Sequence, residues 1–241
     1  MRLLIDIGNT SAKIAVADAN NIIYHSRRVA SWHDTLQSLY QQYSPTDCVI
    51  STVATIDHEL KTALNVLPIP VLWFDNTVPC HSKQITNIPK GLGADRWAAD
   101  LGALAVDSTH PLLIVDAGTC VTYDVINANG NYCGGNITPG IALRLKAMHQ
   151  HTALLPKLEA PMQPNTVDYL WGKDTETAML GGVVNGLNFE VEGFIRRLAE
   201  QHPDLHVFLT GGTPITLPND LNVNITHEPL LVLKGLAHVF F

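Results

Sequence analysis

Short apolar runs bounded by Gly, Pro, Asn and Asp alternate along this chain with stretches in which apolar residues recur every three or four positions. The first pattern predicts strands and the second helices, because side chains repeat about every 2 residues along one face of a strand and about every 3.6 around a helix. Strands are expected over 2–7, 11–17 and 22–29, then a helix over 32–43, a strand over 48–53, a helix over 57–67 and a strand over 71–74. Pro68, Pro70 and Pro79 punctuate the end of this series. After a helix over 93–106, strands follow at 112–116, 121–126 and 132–137, with a helix over 141–149. Residues 152–168, carrying Pro156, Pro161 and Pro164, read as a loop. A long helix over 174–201, a short strand over 206–209 and a last helix over 230–240 complete the series.

The order repeats. Placing Asp6 on Asp116 superimposes Leu3-Leu4-Ile5 on Leu113-Ile114-Val115 and Gly8 on Gly118. It also sets the polar turn 18–21 on 128–131. The pattern predicts an α/β fold of two duplicated βββαβ halves, 1–107 and 108–241, closing on one nucleotide in a cleft between them. In each half an Asp-x-Gly turn joins two strands, Asp6-Ile7-Gly8-Asn9-Thr10 in the first and Asp116-Ala117-Gly118-Thr119-Cys120 in the second. A hairpin at this point differs from the dinucleotide fingerprint and the Walker loop, which hand phosphates to a helix N-terminus.

The residue types suit phosphate. Glycine lets backbone N–H groups approach and converge on phosphate oxygens. Asn9, Thr10 and Thr119 add neutral donors, and Lys13 a mobile positive charge. A carboxylate beside a phosphate repels it unless a cation intervenes, so Asp6 and Asp116 make sense as partners of Mg²⁺ or another hard cation. Either Asp-x-Gly alone is equally an ordinary tight turn. It is the pair, with matching flanks, that points to a nucleotide.

Composition narrows the setting. The chain has 241 residues, 46% of them hydrophobic, which is enough for a substantial core. A formal net charge of -7 argues against general affinity for nucleic acid or anionic membranes. No apolar run reaches the length of a membrane span, and the chain opens on a strand rather than a signal peptide, so a cytoplasmic protein is expected. Cys48, Cys80, Cys120 and Cys133 lack CxxC spacing and read as free buried thiols, with a Cys120–Cys133 cross-strand contact as the alternative. His149 and His151 have no third ligand candidate nearby and are expected at the surface.

Three further clusters carry chemistry. Gly91-Leu92-Gly93-Ala94-Asp95-Arg96 opens an alanine-rich helix, whose first turn favours an anion that Arg96 could hold by a bidentate pair. Asp95 beside it could accept a proton from a hydroxyl; the plainer reading is a helix cap next to a solvated arginine. Gly134-Gly135-Asn136-Ile137-Thr138-Pro139-Gly140 and Thr210-Gly211-Gly212 describe backbone that either passes a ligand closely or bends tightly. In the long helix, glycines at 181, 182, 186 and 193 each cost about 1 kcal/mol relative to alanine, which suggests close packing, a second subunit or a break.

Together these motifs closely resemble the type III pantothenate kinases, of the acetate kinase, sugar kinase, Hsp70 and actin superfamily, in the family's order from Asp6 to Gly212. The resemblance implies two ribonuclease H-like half-domains and ATP-dependent phosphorylation of pantothenate. It makes Asp6, Gly8, Asn9, Thr10 and Lys13 the first phosphate motif, and Gly93, Ala94, Asp95 and Arg96 the substrate motif. Gly118, Thr119 and Thr122 belong to the second phosphate motif, and Gly211 and Gly212 to the adenosine segment. It further implies Asp95 as general base, Arg96 and Thr175 as pantothenate contacts, and Asp116 as ligand of K⁺ or NH₄⁺. Mg²⁺ would accompany ATP, with Asp6 reaching it through water. The partners implied are pantothenate, ATP and a second copy of the chain, with the long helix at the dimer interface. Thr86 stands where many relatives place a tyrosine. A sugar kinase or polyphosphate phosphatase of the superfamily would share both phosphate turns but not Gly-Ala-Asp-Arg in this context; a non-catalytic nucleotide or metabolite sensor would use the clamp only to change shape, and the retained Asp95 argues for catalysis instead.

Overall fold

Two five-stranded mixed sheets with the same neighbour relations frame the protein. The computed structural model describes all residues except 28, 76, 79–86, 162–166, 240 and 241. In order, the elements are β1 (Arg2–Ile7), β2 (Ala12–Asp18), β3 (Asn21–Ser26), α1 (Trp32–Tyr43), β4 (Asp47–Thr52), α2 (His58–Asn65), β5 (Val71–Trp73) and α3 (Ala94–Val106). They continue as β6 (Leu112–Ala117), β7 (Cys120–Ile126), β8 (Tyr132–Pro139), α4 (Ile141–Gln150), α5 (Thr175–Ala199), β9 (His206–Gly211), β10 (Asn224–His227) and α6 (Leu231–Ala237). The strand orders are β3-β2-β1-β4-β5 and β10-β9-β6-β7-β8. In both sheets the central strand pairs antiparallel with the strand that follows it and parallel with the strand returning after a helix.

The repeat is therefore architectural, with one difference in length. Asp6 faces Lys13 across the first hairpin, whereas Asp116 faces Thr122 across the second, so the second turn is one residue shorter. Beyond the turns the match slips by one position, and Lys13 corresponds to Thr122.

The chain divides into two compact units. The first comprises Met1–Thr109, Asn129–Tyr132 and Leu230–Phe241, and the second His110–Ala128 and Cys133–Pro229. This differs from a simple division after residue 107, because α6 packs on α3 and on β1, β3 and β4. Arg2 fastens that return by donating from Nη1 to the Ala237 and Val239 carbonyls.

In the first unit, Leu3, Ile5, Ile14, Val16, Cys48 and Ile50 form a core with Trp32, Leu36 and Leu39 of α1 and Leu60, Ala63 and Leu64 of α2. Leu4, Ala15, Ala17 and Val49 are also buried, so β1 and β4 are covered on both faces, which is why they read as continuous apolar runs rather than alternating ones. The α3–α6 crossing is set by glycine: a Cβ on Gly235 would overlap the Ala98 carbonyl, and one on Gly102 the Leu231 carbonyl. In the second unit, Leu113, Val115, Val207 and Leu209 pack beneath Ile141 and Leu145 of α4 and Met179, Val183, Leu187, Val191 and Ile195 of α5.

Several expectations change. β10 was not anticipated, since Asn224–His227 lacks a clear period-two pattern. α5 runs unbroken for 25 residues through its four glycines. Gly181 packs on Tyr169, but among the described residues a Cβ at Gly182, Gly186 or Gly193 would meet nothing within 4 Å. Of the cysteines, Cys48 is buried, with its thiol pushed up by burial and by Asp47, while Cys120 and Cys133 are exposed rather than buried. Cys120 sits at a turn and Cys133 on the sheet's edge strand, where alternation turns side chains outward. His149 and His151 are exposed as expected. Thr86, Cys80, Pro79 and Pro164 lie outside the described residues.

Candidate active site

In the first unit, a buried Asp6 is the penultimate residue of β1, and the turn of Gly8, Asn9 and Thr10 follows Ile7. The Gly8 N–H donates to the Ser11 carbonyl, closing the turn and leaving Asn9 and Thr10 exposed at its tip. Lys13 stands opposite Asp6 in register, with Nζ 3.7 Å from Oδ2, so the first motif already carries a partly buried ion pair. On the other side of Asp6, in parallel register, is Ser51, whose hydroxyl is buried without a hydrogen-bond partner among the described residues.

The second unit repeats this arrangement. Asp116 stands between Thr122 and Thr210, and the Thr210 hydroxyl is likewise buried without a hydrogen-bond partner among the described residues. The Gly118 N–H donates to the Cys120 carbonyl, which tightens the turn around Thr119. Gly211, at φ 99°, lies so close to Ala117 that any Cβ would overlap its carbonyl. The Gly212 and Thr213 N–H groups then both donate to the Ala117 carbonyl. From the other side Gly140 abuts the same turn, its N–H donating to the Thr119 carbonyl at 3.0 Å. The glycine-rich 134–140 segment and the Thr210-Gly211-Gly212 segment thus converge on Ala117–Thr119, far apart as they are in sequence.

The substrate motif begins α3. Gly93 is the N-cap, with no side-chain cap, and Ala94 is the first helical residue. Asp95 is therefore not the cap: it occupies the first turn, where its Oδ1 accepts from the Arg96 N–H at 2.8 Å. Its carboxylate leans back so far that a Cβ on Gly93 would come within 2.6 Å of Oδ1, so the bare backbone at 93 makes room for it. Arg96 is not a solvated charge either, since it is partly buried and donates from Nη2 to the Tyr132 hydroxyl at 3.1 Å. Thr175 is exposed at the start of α5, behind a capping box made by Asp174 and Thr177.

The donor set fits hard cations. Asp116 and the buried Thr210 hydroxyl supply oxygens side by side, and oxygen is the ligand such ions select. No group of three or more His, Cys, Asp or Glu side chains suited to a metal is present among the described residues. Mg²⁺ bound with a nucleotide needs only about one or two carboxylates, the phosphates and water supplying the rest.

Sequence reasoning missed a polar cluster in the second unit. Glu190 of α5 accepts from the Tyr123 hydroxyl and the Thr138 hydroxyl at 2.7 Å each, and pairs with Arg144 Nη2 at 2.6 Å. Burial alone would raise the Glu190 carboxyl, but the hydrogen bonds from Thr138, Tyr123 and Arg144, with the arginine's charge, outweigh it and hold the group below the usual range. Burial, then the hydrogen bond to Glu190 and its charge, pushes the Tyr123 phenol up. The available signal was an acidic residue lying between the core positions Leu187 and Val191.

Two matching sheets, each carrying an aspartate turn at the end of its central strand, define a protein of the actin, Hsp70 and sugar-kinase ATPase fold. An activator of 2-hydroxyisocaproyl-CoA dehydratase from Clostridium difficile, solved with ADPNP bound, aligns with TM-score 0.52 over 98% of this chain and 92% of that one, at 11% identity. A Listeria monocytogenes protein described as a candidate N-acetylmannosamine kinase aligns with TM-score 0.51 over 98% and 97%, at 13% identity. Sequence narrows the class. Residues 2–197 match the family model of the type III pantothenate kinases. The chain is 38% identical over 242 residues to a type III pantothenate kinase of Bacteroides fragilis, covering 99% of this chain and 97% of that one. It belongs to the type III pantothenate kinase family.

Proposed function

We propose that the chain transfers the γ-phosphoryl group of ATP to the primary hydroxyl of pantothenate, giving 4′-phosphopantothenate and ADP, the first committed step toward coenzyme A. The observation that carries this reading is the start of α3, where Asp95 is laid over a bare Gly93 next to a partly buried Arg96. An acceptor alcohol needs such a carboxylate, and an acidic substrate such a cation.

The roles divide as follows. Arg96 and the backbone of Gly93 and Ala94 hold the pantothenate carboxylate and amide, and Thr175 adds a hydroxyl contact. Asp95 orients the acceptor hydroxyl and takes its proton as that oxygen bonds to the γ-phosphorus and the bond to ADP breaks. The turns containing Gly8, Asn9 and Thr10 and Gly118 and Thr119 direct N–H and hydroxyl donors at the phosphates, with Lys13 and Thr122 in register beside the two aspartates. Gly211 and Gly212 present bare backbone to adenosine. Mg²⁺ near Asp6 and K⁺ or NH₄⁺ near Asp116 would neutralise charge spread over the phosphoryl oxygens. Because that transition state is loose, positioning and electrostatics supply most of the rate.

An ADP-release assay across pantothenate, sugars and acetate tests the reaction. Release that depends on pantothenate alone is expected; release with a sugar or acetate and not with pantothenate would overturn the reading. In the same assay, replacing K⁺ by Na⁺ or choline at constant ionic strength should lower the rate sharply. Asp116→Asn should abolish that dependence along with most activity. Equal rates in all three salts would reject a specific monovalent site.

The reaction implies the cytoplasm, where ATP and K⁺ are held, and we read the protein as a homodimer with α5 at its interface. Val183 and Leu187 are committed to the core of their own unit and Val184 is partly buried against it, so they do not supply the contact surface. Phe189, at 57% exposure, does: with Gly182, Gly186 and Gly193 it forms one stripe at helical spacing. Gly186→Trp should shift the protein toward monomer and weaken pantothenate binding through Thr175. Light scattering that finds a fully active monomeric wild type at micromolar concentration would rule this out.

A further inference from the structure

The polar cluster on α5 has a geometric consequence for the second phosphate turn. Arg144 uses both arms of its guanidinium: Nε donates to the Pro139 carbonyl at 2.6 Å and Nη2 to Glu190 Oε2 at 2.6 Å. Glu190 Oε1 meanwhile accepts from Thr138, the residue before that proline, and from Tyr123 on the neighbouring strand. Thr138 and Pro139 are thus tied, by side chain and by backbone, to one carboxylate–guanidinium pair on two helices. The next residue is Gly140, whose N–H donates to the Thr119 carbonyl. A Cβ at 140 would overlap the Gly118 carbonyl and lie 2.7 Å from the Thr119 oxygen. The turn bearing Gly118 and Thr119 therefore rests directly on a segment whose place is set by Glu190 and Arg144.

We propose that Glu190 and Arg144 are positioning residues for phosphoryl transfer, holding the β8–α4 turn against Ala117–Thr119 so that the turn closed by the Gly118 N–H, with the Thr119 donors at its tip, is fixed before the nucleotide arrives. Neither residue touches the nucleotide; both act through Pro139 and Gly140. This rests on the reading of Gly118 and Thr119 as phosphate contacts. A carboxylate–guanidinium pair suits the task because its hydrogen bond is charge-assisted, and the planar guanidinium fixes the angle between Glu190 and the Pro139 carbonyl. Removing Glu190 would leave a buried phenol and a partly buried guanidinium without their shared partner.

The test compares Glu190→Ala, Glu190→Gln, Arg144→Met and the Glu190→Ala/Arg144→Met double variant of the full chain. Readouts are kcat and KM for ATP and for pantothenate, titration with Mg²⁺·ADPNP, and the thermal midpoint. Each alanine or methionine variant is expected to lose about 10- to 100-fold in kcat/KM for ATP, the scale of a small misplacement of reacting groups, with KM for pantothenate unchanged. Glu190→Gln keeps an acceptor for Tyr123 and Thr138 and should fall between wild type and Glu190→Ala. The double variant should be no worse than the weaker single, because both remove one clamp.

Variants that melt earlier yet keep kcat/KM for ATP within about twofold of wild type would show a purely structural cluster and overturn the proposal. Additive losses in the double variant would overturn it too. Should Glu190→Ala not fold, Thr138→Val removes one hydroxyl from the same chain of contacts and decides the matter by the same ratio. If the wild type binds Mg²⁺·ADPNP but releases no ADP with pantothenate, the proposed reaction fails, and the clamp is judged by whether the variants bind ADPNP more weakly. A wild type that binds no nucleotide overturns both.

Discussion

Asp95→Asn should leave a folded protein that binds pantothenate and ATP near normally and turns over about two to four orders of magnitude more slowly. The isosteric amide keeps the oxygen that accepts from the Arg96 N–H, so the first turn of α3 retains its geometry. What it loses is basicity: an amide cannot take the proton that the hydroxyl releases as it bonds to phosphorus. Because the charge on the transferring group is stabilised elsewhere, the loss is expected in kcat rather than in either KM. Steady-state kinetics with a matching circular-dichroism spectrum checks it. Turnover within a few-fold of wild type would remove Asp95 from the role of base.

The second large effect concerns stability. Gly235→Val places a branched side chain where a single Cβ already overlaps the Ala98 carbonyl, and the Gly102 N–H lies 2.9 Å from the same point. Backbone on both sides cannot yield as a flexible side chain would, so α3 and α6 must separate. Overpacking of this kind costs about 3 kcal/mol. For a chain of this length that corresponds to a fall of about 6–12 °C in the thermal midpoint, measurable by calorimetry. Since α3 carries Asp95 and Arg96, activity at temperatures below unfolding should fall as well. An unchanged midpoint would mean that the two helices do not cross at these glycines.

Both effects trace to positions that differ in how openly the sequence displays them. Asp95 was legible as a candidate because Gly93 and Arg96 set a bare backbone, a carboxylate and a cation within one helical turn, a local group that reads equally as a cap beside a solvated arginine. Gly235 gave no such sign. Its requirement comes from Ala98 and Gly102, more than a hundred residues earlier, and only the crossing of α3 and α6 brings them together. The same distinction runs through the candidate site. The two aspartate turns were legible because strand, turn and strand are contiguous. The neighbours of those aspartates, Ser51 and Thr210, come from parallel strands that no local pattern aligns.

The long helix shows where period alone misleads. Apolar residues at 183, 184, 187 and 189 fit a helical face, yet which face looks inward depends on the sheet beneath it. The structure turns Val183 and Leu187 onto β6 and β9 and leaves Phe189 outside. Glu190 likewise sits among apolar residues with no local reason to be there, and its partners Tyr123, Thr138 and Arg144 lie 67, 52 and 46 residues away.

By itself, then, the sequence determined what is set by interactions between near neighbours: the position and kind of nearly every strand and helix, the two hairpin turns, the duplication of strand order and the group around Asp95. These follow from side-chain periodicity and from the backbone preferences of glycine and proline, which act over a few residues. Only the tertiary structure decided the return of α6 to the first unit, the fifth strand of the second sheet, the exposure of Cys120 and Cys133, and the clamp of Glu190 and Arg144. Each of these depends on which distant surfaces exclude water together and which buried polar atoms find partners, and no local pattern encodes that choice.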